Sequence, residues 1–143
     1  MRGNARTIGQ LRAASAFVRV QELSGRNETF RKLYRSYVDR LGPAIVMNGL
    51  GQALATTRAA AGPNPSNCRQ KAQHELYLSV QQWLCRDRDD GGVYPEGSDL
   101  LQSITEHDEC HYLHAHAETL AWLEWHKKLC RASFPRGDED TSA

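Results

Sequence analysis

Phe30-Arg-Lys-Leu-Tyr-Arg-Ser-Tyr-Val-Asp-Arg-Leu41 decides the fold class of this 143-residue chain. Phe30, Leu33, Tyr34, Tyr37, Val38 and Leu41 recur at three- and four-residue steps, the period of one helix face. Arg31, Lys32 and Arg35 cluster on the opposite side. Asn27 stands where it can cap this helix, and Glu28 sits in the first turn, where the helix dipole favours an acid. An apolar stripe of this kind has to be covered by other elements. No segment alternates with a strand's period, and Ala, Leu, Gln, Glu and Arg outnumber the β-branched residues. The expectation is an all-α protein: a single-domain helical bundle of about five to six helices over residues 1–134, then an acidic disordered tail at 135–143.

Working outward, Thr7 can cap a first helix that faces inward through Ile8, Leu11, Ser15 and Val18 and ends at Ser24-Gly25. Arg12 and Arg19, two turns apart, then fall on one outer stripe. Downstream, Gly42-Pro43 is expected to end the second helix and start a third that buries Ile45, Val46, Leu50, Ala53 and Leu54. From Leu41 to Thr57 there is no Lys, Arg, Asp or Glu, so something is expected to cover the outer face of Asn48, Gly51, Gln52 and Ala55. Gly49 and Gly51 each cost about 1 kcal/mol relative to Ala in a helix interior. Tight packing within the chain or a subunit contact would offset that cost equally well. Beyond the Gly62-Pro-Asn-Pro65 loop, Ser66 or Asn67 caps a fourth helix with Leu76, Tyr77, Val80, Trp83 and Leu84. Arg86–Asp99 reads as a mobile surface loop. A short helix at Leu100, Leu101 and Ile104 and a long one from about Asp108 to Arg131 complete the chain.

The net charge of +1 hides a polarity. Residues 1–71 carry 12 Lys/Arg and 3 Asp/Glu, a balance of +9, whereas residues 72–143 carry 6 and 14, a balance of −8. That suits a nucleic-acid-facing half, or copies stacked basic end to acidic end. Four cysteines without a C-x-x-C pair fit a reducing cytosol, and the expected location is cytoplasmic. Arg2 and Arg6 precede no apolar signal segment, and the uncharged window is broken by Gly and Pro, so no membrane partner is expected.

Chemistry is sparsely signalled. His107, His111, His114 and Glu118 fall within about 60° of arc on one helix face, and His at i, i+4 is metal-ligand spacing. An exposed polar stripe explains the cluster more simply, so no cofactor is expected and these histidines are minor metal candidates. There is no Gly-x-Ser-x-Gly elbow and no evidently activated cysteine, and Gly49-Leu-Gly51 lacks the Lys-Ser/Thr of a phosphate loop. Enzyme activity is not expected. Arg12, Arg19, Arg31, Lys32, Arg35 and Arg40, with Lys127, Lys128 and Arg131 at the other end of the chain, make a better case for phosphate contacts. No aromatics interleave an exposed basic face, so binding should go to backbone and weaken steeply with salt.

The order of these pieces resembles a known family. Tyr34-x-x-Tyr37 followed by Gly42-Pro-Ala-Ile-Val-Met-Asn-Gly-Leu-Gly-Gln-Ala-Leu-Ala55 is similar to the small helical subunit of the Cmr complex, the type III-B CRISPR effector. Asp99-Leu-Leu101 with Ile104, and Tyr112, Glu118, Thr119-Leu-Ala-Trp-Leu-Glu-Trp125 and Lys127-Lys128, agree with that family's C-terminal pattern over roughly residues 5–132. Three positions depart from it. Leu113 replaces the usual Arg after the Tyr, His116 a Thr, and His126 the Leu that commonly follows the second Trp. The His-rich stretch is thus peculiar to this member.

The resemblance implies an all-α subunit without catalytic residues. Copies of it stack into the minor filament beside the subunits that hold the CRISPR RNA, along the path of guide and target RNA. On that basis the expected partners are other Cmr subunits, copies of itself, CRISPR RNA and target RNA. Asn48, Gly49, Gly51 and Gln52 would shape the core or a subunit seam, and the basic residues would track phosphates. Two rival readings are a helical metal-binding protein built on the His stripe, and a DNA-binding helical regulator using the Arg-rich second helix.

Overall fold

The computed structural model describes residues 5–137, which form six α-helices and no strand. They are α1 (Ile8–Leu23), α2 (Glu28–Asn48), α3 (Leu50–Ala61), α4 (Cys68–Leu84), α5 (Leu100–Glu106) and α6 (Glu109–Ser133). Five of the six start at a side-chain cap: Thr7, Asn27, Asn67, Asp99 and Asp108 each accept a backbone N–H from the first turn. Each cap satisfies a donor that the helix itself leaves unpaired.

Helix α2 runs through the middle of a single-domain bundle. Its stripe of Phe30, Tyr34, Val38, Leu41 and Ile45 is buried against α4 on one side and α6 on the other. Helix α1 covers α6, α3 covers α4, and α5 closes on α3. Leu76, Val80 and Leu84 of α4 and Trp122, Leu123 and Cys130 of α6 complete the shared core. Phe134, just past α6, packs edge-on against Tyr34 at 6.1 Å. Of the expected tail, residues 138–143 lie outside the described residues.

Three expectations are corrected. Helix α2 does not end at Gly42-Pro43; it continues through Pro43 to Asn48, and the break comes at Gly49 (φ +88°). Pro43 removes one N–H from the ladder but keeps a helical φ, whereas Gly49 takes a backbone conformation that a residue with a side chain rarely adopts. Carrying the helix onward turns Val46 out of the core to 70% exposure and leaves Ile45 buried on α2. Helix α1 is rotated from its expected face. Ala16, Arg19, Val20 and Leu23 point inward, while Ile8 and Val18 are exposed. Finally, the Arg86–Asp99 segment does not lie wholly on the surface: the N–H groups of Val93 and Tyr94 both reach the Leu84 carbonyl, and both side chains are buried.

Candidate nucleic-acid interface

The basic residues divide by which acids the fold brings within reach. Arg12 makes a two-pronged pair with Glu118, Nε to Oε1 at 2.7 Å and Nη2 to Oε2 at 2.9 Å. Trp83 Nε1 donates to the same carboxylate at 3.1 Å. The Arg12 hydrogen bond holds the Glu118 carboxyl below the usual range, against the opposing effect of burial. Arg19 is only 7% exposed. It donates to Ser79 Oγ (2.7 Å), to the Glu75 carbonyl (3.0 Å) and to the Glu75 carboxylate (2.5 Å). The outer stripe expected of these two arginines is therefore turned inward: α1 packs on α6 and beside α4 through them, and both guanidinium charges are paired with acids.

From Arg19 a buried polar chain continues inward. Tyr34 Oη lies 2.7 Å from Ser79 Oγ and 2.7 Å from His126 Nε2. The His126 ring is fully buried and stacks on Trp122 at 4.3 Å. Burial first, and the Arg19 charge second, push its pKa down to about 3, so the ring is neutral. Tyr34 supplies the partner that Nε2 of this buried imidazole needs, whereas Nδ1 has no hydrogen-bond partner among the described residues.

Part of the sequence polarity is absorbed inside the chain. Arg12–Glu118, Arg19–Glu75, Arg26–Glu75 and Arg58–Asp99 each join a cation of the first half to an acid of the second. Those charges are not left over for a neighbour.

A different set lies half-buried to exposed, and the fold draws together two patches that are far apart in sequence. Arg35 on α2 donates to the carbonyl of Phe134 at 3.0 Å, and Arg131 on α6 meets Asp39 on α2 at 3.1 Å. Arg31 and Lys32 lie one turn before Arg35, and Lys127 and Lys128 one turn before Arg131. Across the α2–α6 seam the fold thus brings Arg35, Arg131 and Lys127 into line, while Arg31 and Lys32 continue along α2 and Lys128 along α6. Lys32 pairs loosely with Glu28 (3.7 Å) and Lys127 with Glu124 (3.2 Å). Arg40 stands apart, on a cleft it shares with Tyr37 and Asn48. Next to the strip opens an apolar groove of about 490 Å³, with Pro43, Val46, Met47 and Leu120 in its wall and Lys127 at its edge. Met47 there is 82% exposed.

The α2–α3 elbow explains the glycines of the Asn48–Gln52 block. Gly51 N–H donates to Tyr112 Oη at 3.1 Å. A Cβ on Gly49 would stand 3.2 Å from the same oxygen. Gly49 opens the elbow to an aromatic side chain of α6, a Cβ on Gly51 would meet only ordinary contacts, and Asn48 and Gln52 remain outside the core. Tyr112 is the functional partner that sequence reasoning left without a role.

Other chemistry is muted. Burial pushes the Cys130 thiol up to about 12 and raises that of Cys85, which disfavours thiolate at both. Among the described residues no three or more His, Cys, Asp or Glu side chains group as a metal site. His107 is the C-cap of α5, not a member of α6, and Glu118 faces inward to Arg12. The expected one-helix stripe of four is therefore replaced by His107, His111 and His114 around a cleft with Tyr94. No helix among the described residues is long and apolar enough to cross a membrane.

Fold and surfaces together define an all-α bundle that carries a basic strip and an apolar groove side by side. Residues 8–133 match the model of the family described as CRISPR-associated protein (Cas_Cmr5), and the chain belongs to that family. Its structure is similar to the crystal structure of a CRISPR-associated Cmr5 family protein from Thermus thermophilus. The TM-score is 0.68 and the sequence identity 25%, over 91% of this chain and 100% of that one. No curated protein matches the chain. The resemblance carried by the Asn48–Ala55 block and the Trp122-x-x-Trp125 helix is thereby borne out.

Proposed function

We propose that this chain is the non-catalytic small subunit of a type III-B Cmr RNA-guided effector, stacked in its minor filament and touching guide or target RNA through the backbone. The family match supports the assignment to the complex. The observation that carries the RNA contact is the α2–α6 strip, where Arg35, Lys127 and Arg131 from distant parts of the sequence meet along one seam and Arg31, Lys32 and Lys128 adjoin it on the same helices. Arg12 and Arg19 play no part in it, because their guanidinium groups are held by Glu118 and Glu75. The exposed Val46 and Met47 beside the strip offer apolar surface for a neighbouring subunit. A seam that pairs apolar surface with adjacent cations suits a subunit lying between protein and RNA. Phosphate contacts made this way carry no sequence preference.

Affinity capture of the tagged chain from its host tests the reading, with bound proteins and RNA both identified. The expected result is co-purification of the other Cmr subunits with short RNAs carrying CRISPR repeat sequence. Recovery of the chain free of both would refute it.

A further inference from the structure

The structure assigns a divalent transition-metal site to His107 and His111, at the junction of α5 and α6. The two residues come from different elements, one from the C-cap of α5 and the other from the first turn of α6. Their ring centroids stand 5.3 Å apart. Two imidazoles bound through nitrogen to one tetrahedral ion, with metal–nitrogen bonds of about 2.0 Å, have centroids about 5 Å apart.

The second observation concerns the other ring nitrogen of each histidine. His107 Nδ1 lies 2.9 Å from the Ser103 carbonyl, which can only accept, so Nδ1 carries the proton. His111 Nδ1 lies 2.7 Å from Asp108 Oδ1. The same oxygen caps α6 by accepting the His111 backbone N–H at 3.0 Å, and a carboxylate oxygen can only accept, so His111 Nδ1 carries its proton too. In the neutral rings both Nε2 atoms then keep their lone pairs. Metal-binding histidines are characteristically held this way, with the distal N–H given to a carbonyl or carboxylate that fixes tautomer and orientation. Surface histidines gathered by chance do not need two such anchors.

Both rings open on one cleft of about 460 Å³, walled by Tyr94 and shared with Arg88 and His114. Tyr94 packs against each ring, 5.3 Å from His107 and 6.2 Å from His111, and restricts them further. Two imidazoles leave half of a tetrahedral shell for water or an incoming ligand. Imidazole donors select Zn²⁺, Ni²⁺ or Cu²⁺ over Mg²⁺ and Ca²⁺, and Cu²⁺ should bind tightest.

The test is a titration of the untagged, chelator-treated full chain with Zn²⁺ and with Cu²⁺, read by calorimetry and, for Cu²⁺, by electron paramagnetic resonance. One equivalent should bind with a two-nitrogen copper signature. His107→Ala and His111→Ala should each weaken binding at least about tenfold, and His116→Ala should leave it unchanged. Asp108→Ser keeps an α6 cap but withdraws the acceptor from His111 Nδ1, and should weaken binding about tenfold. Melting curves without metal establish that each variant is folded. The site is refuted by absence of a one-equivalent phase, by binding that survives both histidine variants, or by Asp108→Ser binding as the parent does, which would mean an adventitious ion only.

Discussion

Arg19 and Arg35 are the same residue type on neighbouring helices, and the fold treats them in opposite ways. Arg19 is enclosed between α1 and α4, with Ser79 and Glu75 taking its donors. Arg35 lies on the α2–α6 seam, where it reaches a backbone carbonyl and keeps company with other cations. Hydrophobic periodicity treats both as polar positions outside an apolar stripe. What separates them is an acid delivered by another helix, 56 residues away in the case of Glu75. Inside, an arginine contributes to folding; on the seam, it contributes charge to the surface.

Removing the inner cation should have the largest effect. Arg19→Met leaves Glu75 with Arg26 alone and takes one donor from Ser79, and should cost about 2 kcal/mol through the lost charge-assisted hydrogen bonds. Chemical denaturation checks this. Arg35→Met, by contrast, removes one hydrogen bond to the Phe134 carbonyl and strands no acid, and should cost about 1 kcal/mol.

Acid should attack the same inner chain. His126 has a folded-state pKa of about 3 against an ordinary 6.5, so between those values the unfolded chain binds one more proton than the folded one. Stability from this residue is complete above about pH 6.5 and falls as the pH drops, by about 2 kcal/mol at pH 5. His126→Leu should flatten the denaturation midpoint between pH 7.5 and pH 5. An equally steep loss in that variant would remove His126 from the explanation.

The glycines sharpen the comparison on a smaller scale. Gly49→Ala must place a side chain at φ +88° and against Tyr112 Oη, and should destabilise by about 1–2 kcal/mol. Gly42→Ala sits in the same helix with nothing within 4 Å of the added Cβ, and should stabilise by about 0.5–1 kcal/mol. Opposite signs in thermal melts are the expected outcome.

The helices were legible because their starts are local: Asn27, Asp99 and Asp108 cap within three residues of themselves. The α2–α3 boundary was not, because a proline six residues before the true break carries the stronger local signal, while Gly49 depends on Tyr112 from α6. The rotation of α1 was missed for a related reason. Counting Ile8 and Val18 as core ignores that Arg12 and Arg19 find Glu118 and Glu75 in the interior. The same limit applies to the basic site: its members were legible singly, but their sorting into spent and surface cations depends on long-range pairing. His126 showed in sequence only as a departure from a family pattern, and its burial beside Tyr34 is a tertiary fact.

Salt dependence tests the central claim most directly. The RNA affinity of a reconstituted Cmr assembly would be measured across salt concentrations with the parent chain and with an Arg31→Ala, Lys32→Ala, Arg35→Ala variant. If the α2–α6 seam tracks phosphates, the variant should bind all sequences more weakly at low salt. The slope of log affinity against log salt should shrink by up to about 2, at about 0.7 for each single-strand phosphate that is no longer neutralised. An unchanged slope and affinity, in an assembly that still incorporates the variant, would contradict the account.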